Sequence, residues 1–366
     1  MKIPALLSLF CAASLAGAQP AVKNVLLVTI DGLRWQELFT GAEDALINKE
    51  HGGVPEGAQA GLRAEFGGAT AEARREKLMP FLWGTLARQG QLFGNRALNS
   101  PVAVSNAERV SYPGYNEILT GRVDPLITNN TPRPNPNVTV LEWLHGRPGF
   151  AGRVAASAAW NVFVPIINVG RSRLPVFVTL QRSAPGAVSP RIAEIERWMQ
   201  DIPPISASES FDAFAYEAAL DLIATHRPRV FLLALGEPDE WAHAGRYDRY
   251  LDSIRRCDRF IRQLWEILQA QPEYRGTTAL VISPDHGRGV LGADWTSHGR
   301  KIPRSEETWL VAMGPGIAAR GERRDTAPLH QAQIAATVSA LLGEDFRAAF
   351  PDAAPPVSDL VGPAGR

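Results

Sequence analysis

Four short runs of apolar and β-branched residues constrain this chain more than any other feature: Asn24–Ile30, Arg229–Leu235, Thr278–Ser283 and Thr308–Met313. Apolarity without alternation is what a strand buried on both faces requires, as in parallel sheets covered by helices. Two weaker runs, Arg153–Ala159 and Pro175–Leu180, read as further strands. Between the runs, helical patterns span Met79–Gln89, Ser111–Leu119, Ser208–Thr225, Asp248–Gln269 and Gln331–Leu342. Strands alternating with helices predict an α/β fold: a doubly wound, mixed but mostly parallel sheet with helices on both faces. Ligands in such sheets bind beyond the carboxyl ends of the strands. Asp31, Asp239 and Asp285 all fall at such ends.

The chain has 366 residues, a length that α/β enzymes often use for one large core with insertions. The Gly-, Ala- and charge-rich stretch 47–77 and the proline-studded stretch 125–204 read as insertions. Loops of that length in a compact domain usually wall a substrate site. The net charge of zero predicts no general attraction to nucleic acid duplexes or to membranes. Residues 1–18 read as a signal peptide: a basic start, an apolar run from Ala5 to Leu15 and an Ala-x-Ala site ending at Ala18. The expectation is an exported protein, periplasmic or secreted, with no membrane span. Its mature part, residues 19–366, keeps Cys257 as its one cysteine and so has no internal disulfide.

The polar loops carry the chemistry. Glu237-Pro238-Asp239 is followed by His243, Asp285-His286-Gly287 closes one apolar run, and Ser297-His298-Gly299 lies a short loop further on. With Asp31-Gly32 these give three carboxylates and three imidazoles on loops. Hard oxygen donors mixed with nitrogen donors suit two closely spaced divalent ions. Asp239 and His243, four apart, share one face of a helical turn. Ser111 opens a helix, where an anion would meet free N–H groups at the positive end of the dipole.

Taken in order, Thr29-Ile30-Asp31-Gly32, the segment Ser111-Tyr112-Pro113-Gly114-Tyr115 running on to Thr120-Gly121, Glu237-Pro238-Asp239 with His243, Asp285-His286-Gly287 and His298-Gly299 resemble the alkaline phosphatase superfamily. Within it the chain most resembles the nucleotide pyrophosphatase/phosphodiesterase branch, with Ser111 where that branch usually has Thr. The resemblance covers Val25 to about Gly343. It implies one alkaline phosphatase-like catalytic domain over 19–366, with 47–77 and 125–204 as substrate-site loops. It also implies two divalent metals, zinc by the nitrogen donors, with manganese also suited to the oxygen-rich set. Asp239, His243 and His298 would hold the first; Asp31, Asp285, His286 and the Ser111 oxygen would hold the second. Ser111 would be the nucleophile, activated by metal contact, and would form a phosphoseryl intermediate. Asn130 would bind a phosphate oxygen of a small-molecule ester.

The expected activity is therefore hydrolysis of phosphate diesters or nucleotide-type substrates. Phosphomonoester hydrolysis is the nearest alternative, but no Arg follows Ser111, and Arg109 precedes it. A phosphoglycerate mutase-like isomerase would need a large inserted domain. A sulfatase would need Arg where Tyr115 stands. A non-catalytic protein on the same fold would be expected to have lost ligands, and none is missing. Outside the motifs, His145 and His226 read as structural, His51 and His330 are left undecided between that and a role at the site, and Asp252 and Asp258 read as solvated helix surface and Cys257 as buried and inert. Trp160 fits a substrate pocket and a core position equally.

Overall fold

The computed structural model describes residues 22–181, 189–290 and 292–361. The signal peptide expected at 1–18 lies outside the described residues. The strands are β1 (Asn24–Ile30), β2 (Gly90–Phe93), β3 (Val102–Ala103), β4 (Val154–Ala158), β5 (Val176–Val178), β6 (Val230–Leu235), β7 (Thr278–Ser283), β8 (Glu307–Thr308), β9 (Leu310–Met313), β10 (Gly321–Glu322) and β11 (Leu329–His330). Eight form one sheet in the order β10-β2-β9-β7-β1-β6-β4-β5. Strands β5, β4, β6, β1 and β7 run parallel; β9 is antiparallel to both its neighbours, β7 and β2. Strands β11, β3 and β8 make a small second sheet. The mixed, mostly parallel α/β sheet expected from the sequence is present.

Successive residues of β1 feed opposite cores. Leu26, Val28 and Ile30 join the core that holds Leu251, Ile254 and Leu264 of the long Tyr247–Ala270 helix. Val25 and Leu27 join the core that holds Tyr112, Tyr115 and Ile118 of the Ser111–Thr120 helix and Val338 of the Gln333–Leu341 helix. Burial of both faces explains why β1 reads as an unbroken apolar run.

Register then positions the chemistry. Ile30 pairs with Leu235 and Thr29 with Ser283, so the adjacent strands β6, β1 and β7 end side by side. The residues just past those ends include Asp31, Asp239 and Asp285, which therefore converge.

The 47–77 stretch folds as three helices, Lys49–Gly52, Glu56–Phe66 and Ala71–Leu78. The last of them packs against the Trp35–Thr40 helix and the long Tyr247–Ala270 helix. One expectation is overturned here. Asp258 is 2% exposed rather than solvated. It accepts the N–H groups of Phe81 and Leu82, each at 2.9 Å, and so satisfies the start of a helix from across the core. Its neighbour Cys257 is buried and free, as expected.

Candidate active site

Ser111 is the first residue of a helix in which every side chain is buried. Val110 occupies the cap position, so the Ser111 hydroxyl is not used for capping. Arg109 holds a left-handed conformation at φ 54°, an uncommon state for a non-glycine residue. That turn directs the Arg109 carbonyl to accept from His298 Nδ1 at 2.9 Å. Gly114 follows from close packing, because a Cβ there would lie 2.3 Å from the Asp285 carbonyl oxygen. Gly32, at φ +59°, is needed for the same reason, since its Cβ would lie 2.4 Å from Asp239 Oδ1.

All the residues expected at the site meet here. Ser111 Oγ lies 3.3 Å from His286 Nε2. The same nitrogen is 3.4 Å from Asp31 Oδ1 and 3.4 Å from Asp285 Oδ2. His243 Nε2 is 3.0 Å from Asp239 Oδ2 and 3.0 Å from His298 Nε2. Donor atoms of Asp31, Asp285 and His286 lie within 4.8 Å of one another, and so do those of Asp239, His286 and His298. His286 thus borders both groups, but it stands nearer Asp31 and Asp285 than Asp239, which is 3.9 Å away. On distance, His286 goes with the first of these groups, and His243 joins Asp239 and His298.

The electrostatics between these groups suit a cation. His286 Nδ1 donates to the Gly287 carbonyl at 3.0 Å, which leaves Nε2 as an acceptor for the Ser111 hydroxyl at 3.3 Å. That acceptor faces two carboxylate acceptors. Asp31 Oδ1 and Asp285 Oδ2 are buried and have no hydrogen-bond partner. Burial pushes Asp31 well above the usual carboxylate range, helped by the charges of Asp285 and Asp239. Burial and then Asp239 raise Asp285 to about 7. Burial holds His286 well below its ordinary value and His298 down at about 4, so both imidazoles stay neutral. Neutral imidazole acceptors facing unpaired carboxylates are the donor chemistry of a divalent cation site.

Several contributors carried no signal in the sequence. Arg288 is buried and ion-paired to Asp239, and it donates through Nε to the Trp295 carbonyl at 3.0 Å. Although burial pushes Asp239 up, Arg288 and then the His243 hydrogen bond hold it well below the usual range. Tyr115, in the place where a sulfatase would carry Arg, donates its hydroxyl to Asp31 Oδ2 at 3.0 Å. The Ser111 helix offers fewer free N–H groups than expected. Asn130 Oδ1 accepts from Tyr112 N–H at 2.9 Å, and Pro113 has no N–H. That bond fixes the carboxamide: its oxygen faces the helix, and its NH2 is left for the cavity.

The cavity measures about 430 Å3 and is lined by Asp31, Ser111, Asn130 and Trp160, among others, with no Arg or Lys. From the two expected insertions, 125–204 contributes Asn130, Pro132, Trp160, Asn161 and Val162, while 47–77 contributes none of the lining residues. Trp160 is both things the sequence allowed, 9% exposed and part of the cavity wall.

A mostly parallel sheet with paired acid–histidine loops at its carboxyl edge defines an alkaline phosphatase-like hydrolase fold. Solved structures agree. The chain is 12% identical to the wild-type alkaline phosphatase PafA, covering 94% of this chain and 100% of that one at a TM-score of 0.59. It is 14% identical to a phosphonate monoester hydrolase from Silicibacter pomeroyi, over 88% of this chain and 74% of that one at a TM-score of 0.54. It is 13% identical to an alkaline phosphatase superfamily protein from Vibrio parahaemolyticus, over 90% and 69% of the two chains at 0.52. Among curated proteins, none matches the sequence. The sequence model described as Type I phosphodiesterase / nucleotide pyrophosphatase matches residues 81–349. The chain belongs to that family, within a metal-dependent superfamily of phosphoesterases and sulfatases.

Proposed function

We propose that this protein is an exported phosphodiesterase that hydrolyses small phosphate diesters or nucleotide-type esters through Ser111. Asp31, Asp285, His286 and the Ser111 oxygen would hold one divalent ion, and Asp239, His243 and His298 the other; zinc suits both sets and manganese the first. When bound, the ions supply positive charge to the phosphoryl oxygens and lower the pKa of the Ser111 hydroxyl. Ser111 Oγ forms a bond to phosphorus as the bond to the departing alkoxide breaks. The phosphoseryl ester is then hydrolysed by water, which restores the hydroxyl. Asn130 donates its NH2 to a non-bridging oxygen, since its carbonyl oxygen is held by Tyr112.

The observation that carries this reading is the cavity's charge. It has no Arg or Lys among the lining residues, and the group proposed to donate to the phosphate, Asn130, is a neutral amide. A diester anion carries one charge, whereas a monoester dianion calls for an added guanidinium or ammonium group. Tyr115 in place of Arg tells against a sulfatase in the same way. The test is a kinetic comparison of an aryl phosphate diester, the matching monoester and a sulfate ester on metal-analysed protein. Higher kcat/KM for the diester is expected; a clear preference for the monoester would move the protein to the phosphatase branch. N-terminal sequencing of the exported form, expected to begin at Gln19, tests export.

A further inference from the structure

Arg288 is a buried cation that the proposed reaction leaves without a task. It follows Asp285-His286-Gly287 directly but is not among the residues lining the cavity. Its side chain is fully enclosed, and three groups hold the guanidinium. One arm is ion-paired to Asp239 Oδ1. The others reach the Trp295 carbonyl through Nε at 3.0 Å and the Thr296 carbonyl through Nη2 at 2.5 Å. Trp295 is itself anchored, because its indole N–H donates to the His51 carbonyl at 2.8 Å and its ring packs edge-on against Tyr247. Gly32 makes the room, since a Cβ there would lie 2.8 Å from Arg288 Nη1.

These contacts tie the Glu237–His243 helix to the segment that runs into His298, so Arg288 joins the elements that carry Asp239, His243 and His298. They also divide the charge unequally between the two ligand sets. Asp239 gives one oxygen to Arg288 and turns the other towards His243 Nε2 at 3.0 Å. An ion at that set would meet a single carboxylate whose charge Arg288 already balances. Asp31 and Asp285 have no ion pair with Arg or Lys among the described residues, so an ion there would meet two carboxylates that no fixed cation balances. A positive charge held this close to a divalent ion opposes it strongly where little water screens the two.

We infer that Arg288 is a built-in counter-ion, which makes the ion at Asp239, His243 and His298 the weaker and exchangeable one and leaves the ion at Asp31, Asp285 and His286 firmly held. The inference rests on the two-metal form of the proposed function. Calorimetric titration of metal-stripped protein with Zn2+, in a competing chelator, tests it without reference to activity. The wild-type protein should take up two ions in two steps whose dissociation constants differ by about a hundredfold or more. His243→Ala should abolish the weaker step and keep the tighter one. Arg288→Met leaves Asp239 without a counter-charge until the ion arrives, so the second step should tighten by about tenfold or more. Arg288→Lys keeps the charge without the planar fork, so it should keep the gap, whereas a role confined to holding Asp239 in place would not survive it. Two equal steps in the wild type, or loss of the tighter step in His243→Ala, would overturn the inference and leave the two-metal reading standing. So would an Arg288→Met variant that keeps its first step but shows the second unchanged or lost. Should that variant lose both steps, the Lys variant decides, a kept gap supporting the counter-ion and a lost gap overturning it. Uptake of no ion by the wild-type protein would overturn both readings.

Discussion

Two populations of buried acid occupy this molecule, and they differ in what answers them. In the scaffold, Glu117 is fully buried yet accepts the backbone N–H groups of Ser105 at 2.8 Å, Asn106 at 3.0 Å and Ala332 at 3.3 Å. Asp212 accepts from Gly236 at 2.7 Å and Glu237 at 3.2 Å, and Asp258 caps the helix at Phe81. Around the cavity, Asp31, Asp285 and Glu209 are equally buried but keep unpaired oxygens. The scaffold acids close the donors that loops and helix starts leave open; the site acids keep oxygens that no donor answers. A buried polar group without a partner costs stability, so such atoms persist where function requires them.

The sharpest way to break the contrast is at the nucleophile. Ser111→Ala removes the attacking oxygen and should cost about three or more orders of magnitude in turnover while most metal is retained. Turnover within about tenfold of the parent would end the Ser111 mechanism; Ser111→Thr should keep part of the activity. Next comes Asp285→Asn, which keeps the bond from Gly32 N–H, now 3.1 Å, but removes an unanswered charge. Elemental analysis should fall from about two ions per chain to one or none. In strong chelator the variant should melt above the parent, because relieving like-charge repulsion then has no offsetting loss. A lower melting point would show that the acid was already satisfied. The scaffold acid behaves in the opposite way. Glu117→Ala strands several buried donors and should cost about 3 kcal/mol of stability in urea unfolding, with or without metal.

The strands and the site were legible in the sequence to different depths. β1 and β7 fall where their apolar runs lie, because burial on both faces leaves nothing but packing to choose residues. The short β2 was not legible: Gly90–Phe93 is only four residues long, and its neighbours come from β9 and β10, far along the chain. The acid–histidine loops were legible because each sits at a strand end with its own local pattern. Arg288 and Glu209 were not, since an arginine near a histidine or a glutamate in a Ser-rich loop has no periodic or spacing signature. Asp258 misled because helix periodicity shows which face is polar, not whether a distant helix start needs an acceptor.

A smaller effect tests the Asn130 geometry. Its Nδ2 would make one bond to a charged oxygen, so Asn130→Ala should cost roughly 1–3 kcal/mol of transition-state binding on a diester. Asn130→Asp should do worse than Ala, because it keeps the acceptor for Tyr112 N–H while replacing the donor with a negative charge facing the phosphate. An alanine variant indistinguishable from the parent would make Asn130 only a cap on the Ser111 helix.

The smallest expected effect asks whether a satisfied scaffold acid still carries a burial cost. Burial raises Asp258 to about 6, although the N–H groups of Phe81 and Leu82 pull it down. In the unfolded chain it should titrate near 3.9. Between about pH 4 and 6 the folded state therefore binds more protons than the unfolded state, and stability must fall as pH rises through that window. Above about pH 6 both states are ionised and the deficit stays constant. A shift of even one pKa unit corresponds to about 1.4 kcal/mol. Asp258→Asn does not ionise, so its stability relative to the parent should rise by at least that much between about pH 4 and 6.5, measured by urea unfolding in chelator to silence the site. A flat difference would mean that two backbone N–H groups fully offset burial, and that the scaffold acids differ from Asp31 and Asp285 in energy as completely as they do in contacts.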